Sequence, residues 1–425
     1  MSMADTAPAA PPRARLLPLV GVFLLALLLR AGWAIHRTGD RPGAAAQLQF
    51  PDEREYWSLA VSLRDAGELA LPNGDRAKRM GLYPALLARL VHLAHPVLTA
   101  RLAQSILGAL AAVGVAALAM RLAGVGAGLL AGALVAVDPF ALFFSSLLLT
   151  ETPFAAALVG FVLCTWPLIE RAQSLSTPRL LIAAALAMAC VYLRPEAIGF
   201  IALWSVLALA RRHSPARARV QVALIPILVI AALFPWAWRN RVVLGQWVWL
   251  TTNGGASLYD GQGPQADGSS NLADVFASPA VVQMSELQRD AFLQGQALQT
   301  MRRDPARVLR LAGVKFVRTW NIWPNFGDYR SVKLRAVSAA YMVPVLIFAA
   351  VGLWALRDRL RVALVLLLPA VYWTALHCVF VGSLRYRQPA MPFVGILAAL
   401  GLALLVSSAK RPRPTPMSRA SEDGP

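Results

Sequence analysis

About ten apolar runs, each close to the length that crosses a bilayer, leave this chain little choice of solvent. They lie at 17–36, 99–120, 124–143, 152–170, 179–193, 196–210, 220–238, 337–356, 362–382 and 389–409. A helix needs about 20 residues to cross the hydrocarbon core. In lipid the backbone must satisfy its own hydrogen bonds, so each run is predicted to be helical. Charged residues make up 15% of the chain, against about 25% in soluble domains. The predicted fold class is therefore an all-α integral membrane protein with about ten transmembrane helices, amphipathic interfacial helices and a mixed outer loop. The segment LYPALLARLVHLAHPVL (82–98) holds Arg89, His92, His95 and Pro96. It reads as a helix lying in the interface, with an eleventh span as the alternative.

The net charge of +19 is spread among short loops between the apolar runs. That is the pattern of topology determinants and contacts to anionic membrane lipids, and nucleic acid is not expected as a partner. Cys164, Cys190 and Cys378 fall inside apolar runs without CxxC or Cys/His spacing, so they read as buried thiols rather than disulfides or metal ligands. A basic patch precedes the first run and no small-residue cleavage site follows it, which predicts an uncleaved first span.

Basic residues also set orientation. Arg121; Arg171 and Arg179; Arg211, Arg212, Arg217 and Arg219; Arg357, Arg359 and Arg361; and the tail residues Lys410, Arg411 and Arg413 all fall on one side. This predicts both termini inside. The organisation follows: a disordered inner tail (1–16), an N-terminal transmembrane region (17–238) carrying a first outer loop (37–82), a long outer loop (239–336), C-terminal helices (337–409) and a disordered inner tail (410–425). The inner loops are too short for a nucleotide-binding domain, which needs on the order of 100 residues. Function is expected at the outer face, the periplasmic side if the membrane is a bacterial inner membrane.

The first outer loop contains FPDEREYWSLA, with the adjacent acids Asp52 and Glu53. Such a pair at a membrane surface points to chemistry on a lipid-borne substrate. Asp52-x-x-Glu55 also resembles a capping box with Asp in place of Ser or Thr, a role compatible with a free carboxylate oxygen. In the long loop, QWVWLTT reads as a short strand and SELQRDAFLQGQALQTMRRD as a helix. ARVLRLAGVKFVRTWNIW reads as an interfacial helix whose basic residues, Lys315 among them, meet lipid phosphates.

Ionisable groups near membrane depth cost enough to be functional candidates. Arg30 lies in the first span. Glu151 stands before a helix start, where it can simply complement the dipole. Arg194 and Glu196 flank Pro195, where a local salt bridge is an equal account. His377, Arg385, Tyr386 and Arg387 lie near the last span. Asp52, Glu53, Glu151, Arg194, Arg239, Arg385 and Arg387 are all assigned to one face. A carboxylate there can serve as general base, and arginine forks suit a phosphate leaving group.

These pieces run along most of the chain: FPDEREYWSLA, GLYPALLARL, VDPFALFFSSLLLTETPF, YLRPEAIGF, FPWAWRNRVVLGQW, NGGASLYDGQGP and VFVGSLRYRQPAMP. In this order and topology the chain resembles the multispanning C-type (GT-C) glycosyltransferases, specifically the protein O-mannosyltransferase and lipid A aminoarabinose transferase superfamily. The resemblance implies an inverting hexosyl- or pentosyltransferase that takes a sugar from a polyprenyl-phosphate carrier. The acceptor would be a hydroxyl of a glycan, lipid or protein. It implies Asp52 as base with Glu53 its partner, Glu151 as a further acid, and Arg385 and Arg387 as phosphate contacts. Tyr56, Arg194, Arg239, Lys315 and Tyr386 complete the expected substrate-binding set. Where aminoarabinose transferases keep a metal-binding Glu, this chain reads Arg76-Ala77-Lys78-Arg79-Met80-Gly81, so no metal ligands are carried over. No nucleotide cofactor is implied, and a divalent metal stays open. The alternatives are a secondary transporter, against which stands the lack of an internal repeat, and a non-catalytic lipid-binding partner in an envelope glycan pathway.

Overall fold

A computed structural model describes residues 12–39, 43–210, 214–270, 272–325 and 331–409. The expected tails at 1–11 and 410–425, including Lys410, Arg411 and Arg413, and the loop arginines Arg211 and Arg212 lie outside the described residues. Within the segment expected as a tail at 1–16, α1 (Pro12–Thr38) begins at Pro12.

The first loop folds into α2 (Ala44–Gln47), α3 (Pro51–Ala66) and α4 (Leu82–Ala88). The last is a short helix followed by turns, so 82–98 does not form an eleventh span. Next come α5 (Pro96–Val137), α6 (Pro139–Ser145), α7 (Glu151–Glu170), α8 (Thr177–Leu193), α9 (Ala197–Leu209) and α10 (Ala216–Leu244). The long loop holds α11 (Gly254–Gln262), α12 (Leu272–Ala277), α13 (Pro279–Val282), α14 (Glu286–Arg303) and α15 (Pro305–Trp320). The chain closes with α16 (Val332–Ala355), α17 (Leu360–Val379) and α18 (Met391–Ala409).

This is an integral membrane protein. Among the described residues six helices are long and apolar enough to cross a bilayer, and the apolar helices at 177–193, 197–209 and 391–407 are shorter. The predicted spans at 99–120 and 124–143 meet in α5, where Gly124 takes φ 85°, a conformation that favours glycine. The chain folds back there, so that position 132 returns beside 116 and 128 beside 120. The second of these spans ends early, because Asp138 accepts from the Phe140 and Ala141 amides and starts α6.

One core runs through the bundle: α1 lies along α5, α5 against α7 and α18, and α16 against α18. The last contact is backbone to backbone. A Cβ on Gly401 would lie 2.0 Å from the Phe348 carbonyl oxygen, and close approach through small residues is how such helices associate without a hydrophobic drive. Gly401→Val is expected to cost about 3 kcal/mol, since backbone rather than a flexible side chain must yield. Thermal unfolding of the detergent-solubilised protein checks this; an unchanged midpoint would refute the packing account.

The predicted strand QWVWLTT is not formed, and no strand occurs among the described residues. Its backbone groups are satisfied elsewhere. Asn240 and Trp236 donate to the Val248 and Leu250 carbonyls, and the Thr252 amide donates to the Ala77 carbonyl. The helix predicted at 285–304 is present, opened by a reciprocal Ser285–Gln288 capping box.

Candidate active site

The local structure of α3 separates the two adjacent acids. Phe50 is the N-cap and Pro51 the first helical residue, so Asp52 is not the cap that its sequence pattern suggests. Glu53 does the capping. Its carboxylate accepts from the Gln49 and Phe50 amides, both at 3.1 Å, and from the Leu148 amide at 2.9 Å. It is fully buried and joins the first loop to the segment before α7. Both of its oxygens thus accept from backbone amides.

Asp52 faces elsewhere because successive helical residues diverge by about 100°, while positions three and four apart share a face. Asp52, Glu55 and Tyr56 form that face, and Arg79 lies across all three. Its Nη2 donates to Asp52 at 2.6 Å and to Glu55 at 2.7 Å, and the guanidinium sits 5.2 Å from the Tyr56 ring centroid. Lys78 adds a 2.6 Å bond to Glu55. Neither Glu55 nor Arg79 stood out in the sequence; the spacing of Glu55 and Tyr56 from Asp52 was the available signal.

The other side of Asp52 is met from the far end of the chain. The SLRYR segment forms a 3₁₀ turn over Leu384–Arg387, whose start is capped by Ser383. Arg385 bridges two acids, Nη1 donating to Asp52 and Nε to Glu151. Arg194 reaches the same Glu151 oxygen at 2.8 Å. In a 3₁₀ turn each residue rotates by about 120°, so neighbours point apart. Tyr386 stacks on His377 at 3.8 Å between centroids. Arg387 turns under α15, where it donates to the Thr319 and Asn321 carbonyls and lies over Phe140.

Three of the expected substrate-binding cations, Arg387, Lys315 and Arg239, are thus absent from the acid cluster, and each bonds backbone carbonyls instead. A buried cation is stabilised by the unpaired carbonyls at a helix carboxyl end. Arg387 takes that place at the end of α15, and Lys315 at the end of α17, with Nζ bonded to the Val379 carbonyl at 2.7 Å. Burial pushes the Lys315 ammonium down to about 8. Arg239 staples α10 to the first loop through the Leu69 and Arg76 carbonyls. Arg30, inside α1, caps the end of α5 through the Val135 and Ala136 carbonyls.

The stretch carrying Arg79 is itself fixed by Glu286, at the head of α14. Glu286 accepts from the Arg76 and Ala77 amides at 3.0 and 3.1 Å and from the Thr252 hydroxyl at 2.8 Å. Glu286→Gln is expected to cost about 2 kcal/mol of local stability by weakening these charge-assisted bonds. Amide hydrogen exchange at 76–79 should accelerate while α5 stays protected; unchanged exchange in both regions would remove Glu286 from this role.

The assembled site holds three carboxylates (Asp52, Glu55, Glu151) among four cations (Lys78, Arg79, Arg194, Arg385). The Asp52 and Glu55 side chains are 29% and 23% exposed and that of Glu151 2%, so Glu151 is sealed and the two acids of α3 are the ones that a substrate can reach. Burial disfavours the Asp52 carboxylate, but Arg79 and Arg385 outweigh it and hold the group below the usual carboxylate range. The same pairs raise Arg79 and Arg385 against the opposing effect of burial. Arg385 bonds both Asp52 and Glu151, and among the described residues no three His, Cys, Asp or Glu side chains are placed to hold a metal ion.

No protein-family model and no curated protein matches the chain in sequence. Solved structures do. The archaeal oligosaccharyltransferase AglB from Archaeoglobus fulgidus, in complex with an inhibitory peptide and a dolichol-phosphate, aligns with a TM-score of 0.56 at 14% identity over 92% of this chain. Its apo form aligns with the same TM-score at 13% identity. This is the GT-C fold. The alignment takes in 50% of AglB, so the chain spans about half the length of that enzyme. ArnT from Cupriavidus metallidurans, bound to undecaprenyl phosphate, gives a TM-score of 0.46 at 14% identity over 94% of this chain and 79% of ArnT.

Proposed function

We propose that this GT-C-fold protein transfers a sugar from a polyprenyl-phosphate carrier to an acceptor hydroxyl, with inversion at the anomeric carbon. The observation that carries the reading is the convergence of Asp52 with Arg79 and Arg385, backed by Glu151 and Arg194, at a partly exposed site. Asp52 accepts the proton of the acceptor hydroxyl as its oxygen bonds to the anomeric carbon. The bond from that carbon to the carrier phosphate breaks, and the arginines stabilise the charge gathering on the leaving phosphate. Glu151 positions Arg194 and Arg385, and Glu53 positions the start of α3. Tyr56 and Tyr386 wall the site. The arrangement needs no nucleotide, because the carrier phosphate is the activated leaving group. The basic loops support a site on the outer face, the periplasmic one if the membrane is a bacterial inner membrane.

The test is transfer of radiolabelled sugar from a panel of polyprenyl-phosphate hexoses and pentoses into membrane lipids and glycans. Transfer from one donor, lost in Asp52→Asn, supports the reading and names the sugar. The double ion pairing of Asp52 favours one rival, a non-catalytic lipid-binding partner in which the acid is only structural. Equal transfer, or none, by both proteins would support that rival.

A further inference from the structure

The guanidinium groups of the cluster have more donors than its carboxylates use. Arg194 is 4% exposed, yet its Nε and Nη1 make no hydrogen bond among the described residues. Nη1 stands 3.6 Å from Glu196, too far for a hydrogen bond. A buried charged donor left unbonded is costly, so its presence points to a ligand with acceptor oxygens. Arg194, Arg385 and Arg79 are linked in series through Glu151 and Asp52. Three planar forks joined through two carboxylates suit a phosphate, which offers several oxygens to such donors. Carboxylate oxygens now stand where phosphate oxygens would bond.

We propose that Asp52, Glu55 and Glu151 mask a phosphate site formed by Arg79, Arg194 and Arg385, and that a sugar phosphodiester binds by displacing carboxylate oxygens from those arginines. The proposal rests on the donor reading above and adds an order to it. While the site is empty, Arg79 and Arg385 hold Asp52 in ion pairs that make it a poor proton acceptor, consistent with its lowered pKa. When phosphate takes those forks, the Asp52 carboxylate is released toward the acceptor hydroxyl. The base is therefore freed only when a donor is in place, and water reaching the empty site meets an acid already bonded to arginine. No bond other than hydrogen bonds and ion pairs changes in this exchange.

The masking makes a counter-intuitive prediction: removing a negative charge from an acid should tighten phosphate binding. The full-length protein in nanodiscs would be titrated with undecaprenyl phosphate, and with undecaprenol as the phosphate-free control. Asp52→Asn is expected to bind the phosphate about tenfold tighter than wild type, the ratio set by one charge-assisted bond no longer competed for. Glu55→Gln, which frees Arg79 from a partly exposed partner, should shift binding the same way and guards against a folding defect in the first variant. Arg385→Gln should bind the phosphate at least about tenfold more weakly. Undecaprenol should be bound alike by all four proteins. Phosphate binding no tighter in both Asp52→Asn and Glu55→Gln than in wild type would overturn the masking and leave the donor reading standing. Wild type that does not distinguish undecaprenyl phosphate from undecaprenol would overturn the donor reading itself.

Discussion

Asp52→Asn is expected to reduce sugar transfer by about 10²- to 10⁴-fold, the usual contribution of a general base. The amide keeps the shape of the side chain and one acceptor oxygen, so Arg79 and Arg385 retain a partner and the fold is expected to survive. What disappears is the capacity to take a proton. Single-turnover transfer from a labelled polyprenyl-phosphate sugar measures this directly. A rate within about threefold of wild type, far below the loss expected of a base, would assign Asp52 to structure alone. The pH profile carries a second reading. Arg79 and Arg385 hold the Asp52 carboxyl below its ordinary value, so its ion pairs are fully formed above about pH 4 and are lost only as pH falls through the lowered value. Wild-type stability should show no loss from this group between about pH 7 and pH 5. A transition in that window that vanishes in Asp52→Asn would contradict the paired geometry.

Glu151→Ala should be the most destabilising change in the site. Its carboxylate is nearly sealed from solvent and holds both Arg194 and Arg385. Removing it strands two guanidinium groups in a buried setting, and breaking a buried pair by deleting one partner costs about 3–5 kcal/mol. Glu151→Gln leaves an acceptor oxygen and should cost roughly half as much. The thermal midpoint in detergent should therefore order as wild type, Glu151→Gln, Glu151→Ala. A wild-type midpoint for the alanine variant would mean that the two arginines find other partners, and that Glu151 does not organise the site.

Much of the fold was legible because lipid leaves few options. Apolar runs of the right length had to be helices. The exceptions come from local chemistry that hydropathy does not weigh. Asp138 ends a span early by capping α6, and the backbone of QWVWLTT is bonded by Asn240 and Trp236 side chains instead of by a sister strand.

The candidate site was legible in part. Asp52, Glu151, Arg194 and Arg385 were all named as candidates, and all four meet. Glu55 and Arg79 were passed over, since an acid in a capping pattern and a cation in a loop have ordinary explanations. Arg387, Lys315 and Arg239 were placed in the site because residues near one membrane face look equivalent in sequence. They are not equivalent in space. Rotation along a 3₁₀ turn and helix-end carbonyls take Arg387 and Lys315 elsewhere, and carbonyls of the first loop take Arg239.

The sequence alone determined that this chain lives in a bilayer and that its apolar runs are helical, and it pointed to the acids of the first loop, because hydropathy and charge are properties of the residues themselves. Tertiary structure decided which charges are partners. Pairing depends on where helices 43, 234 and 333 residues apart bring their side chains, and that distance through space is fixed only when the whole bundle has packed.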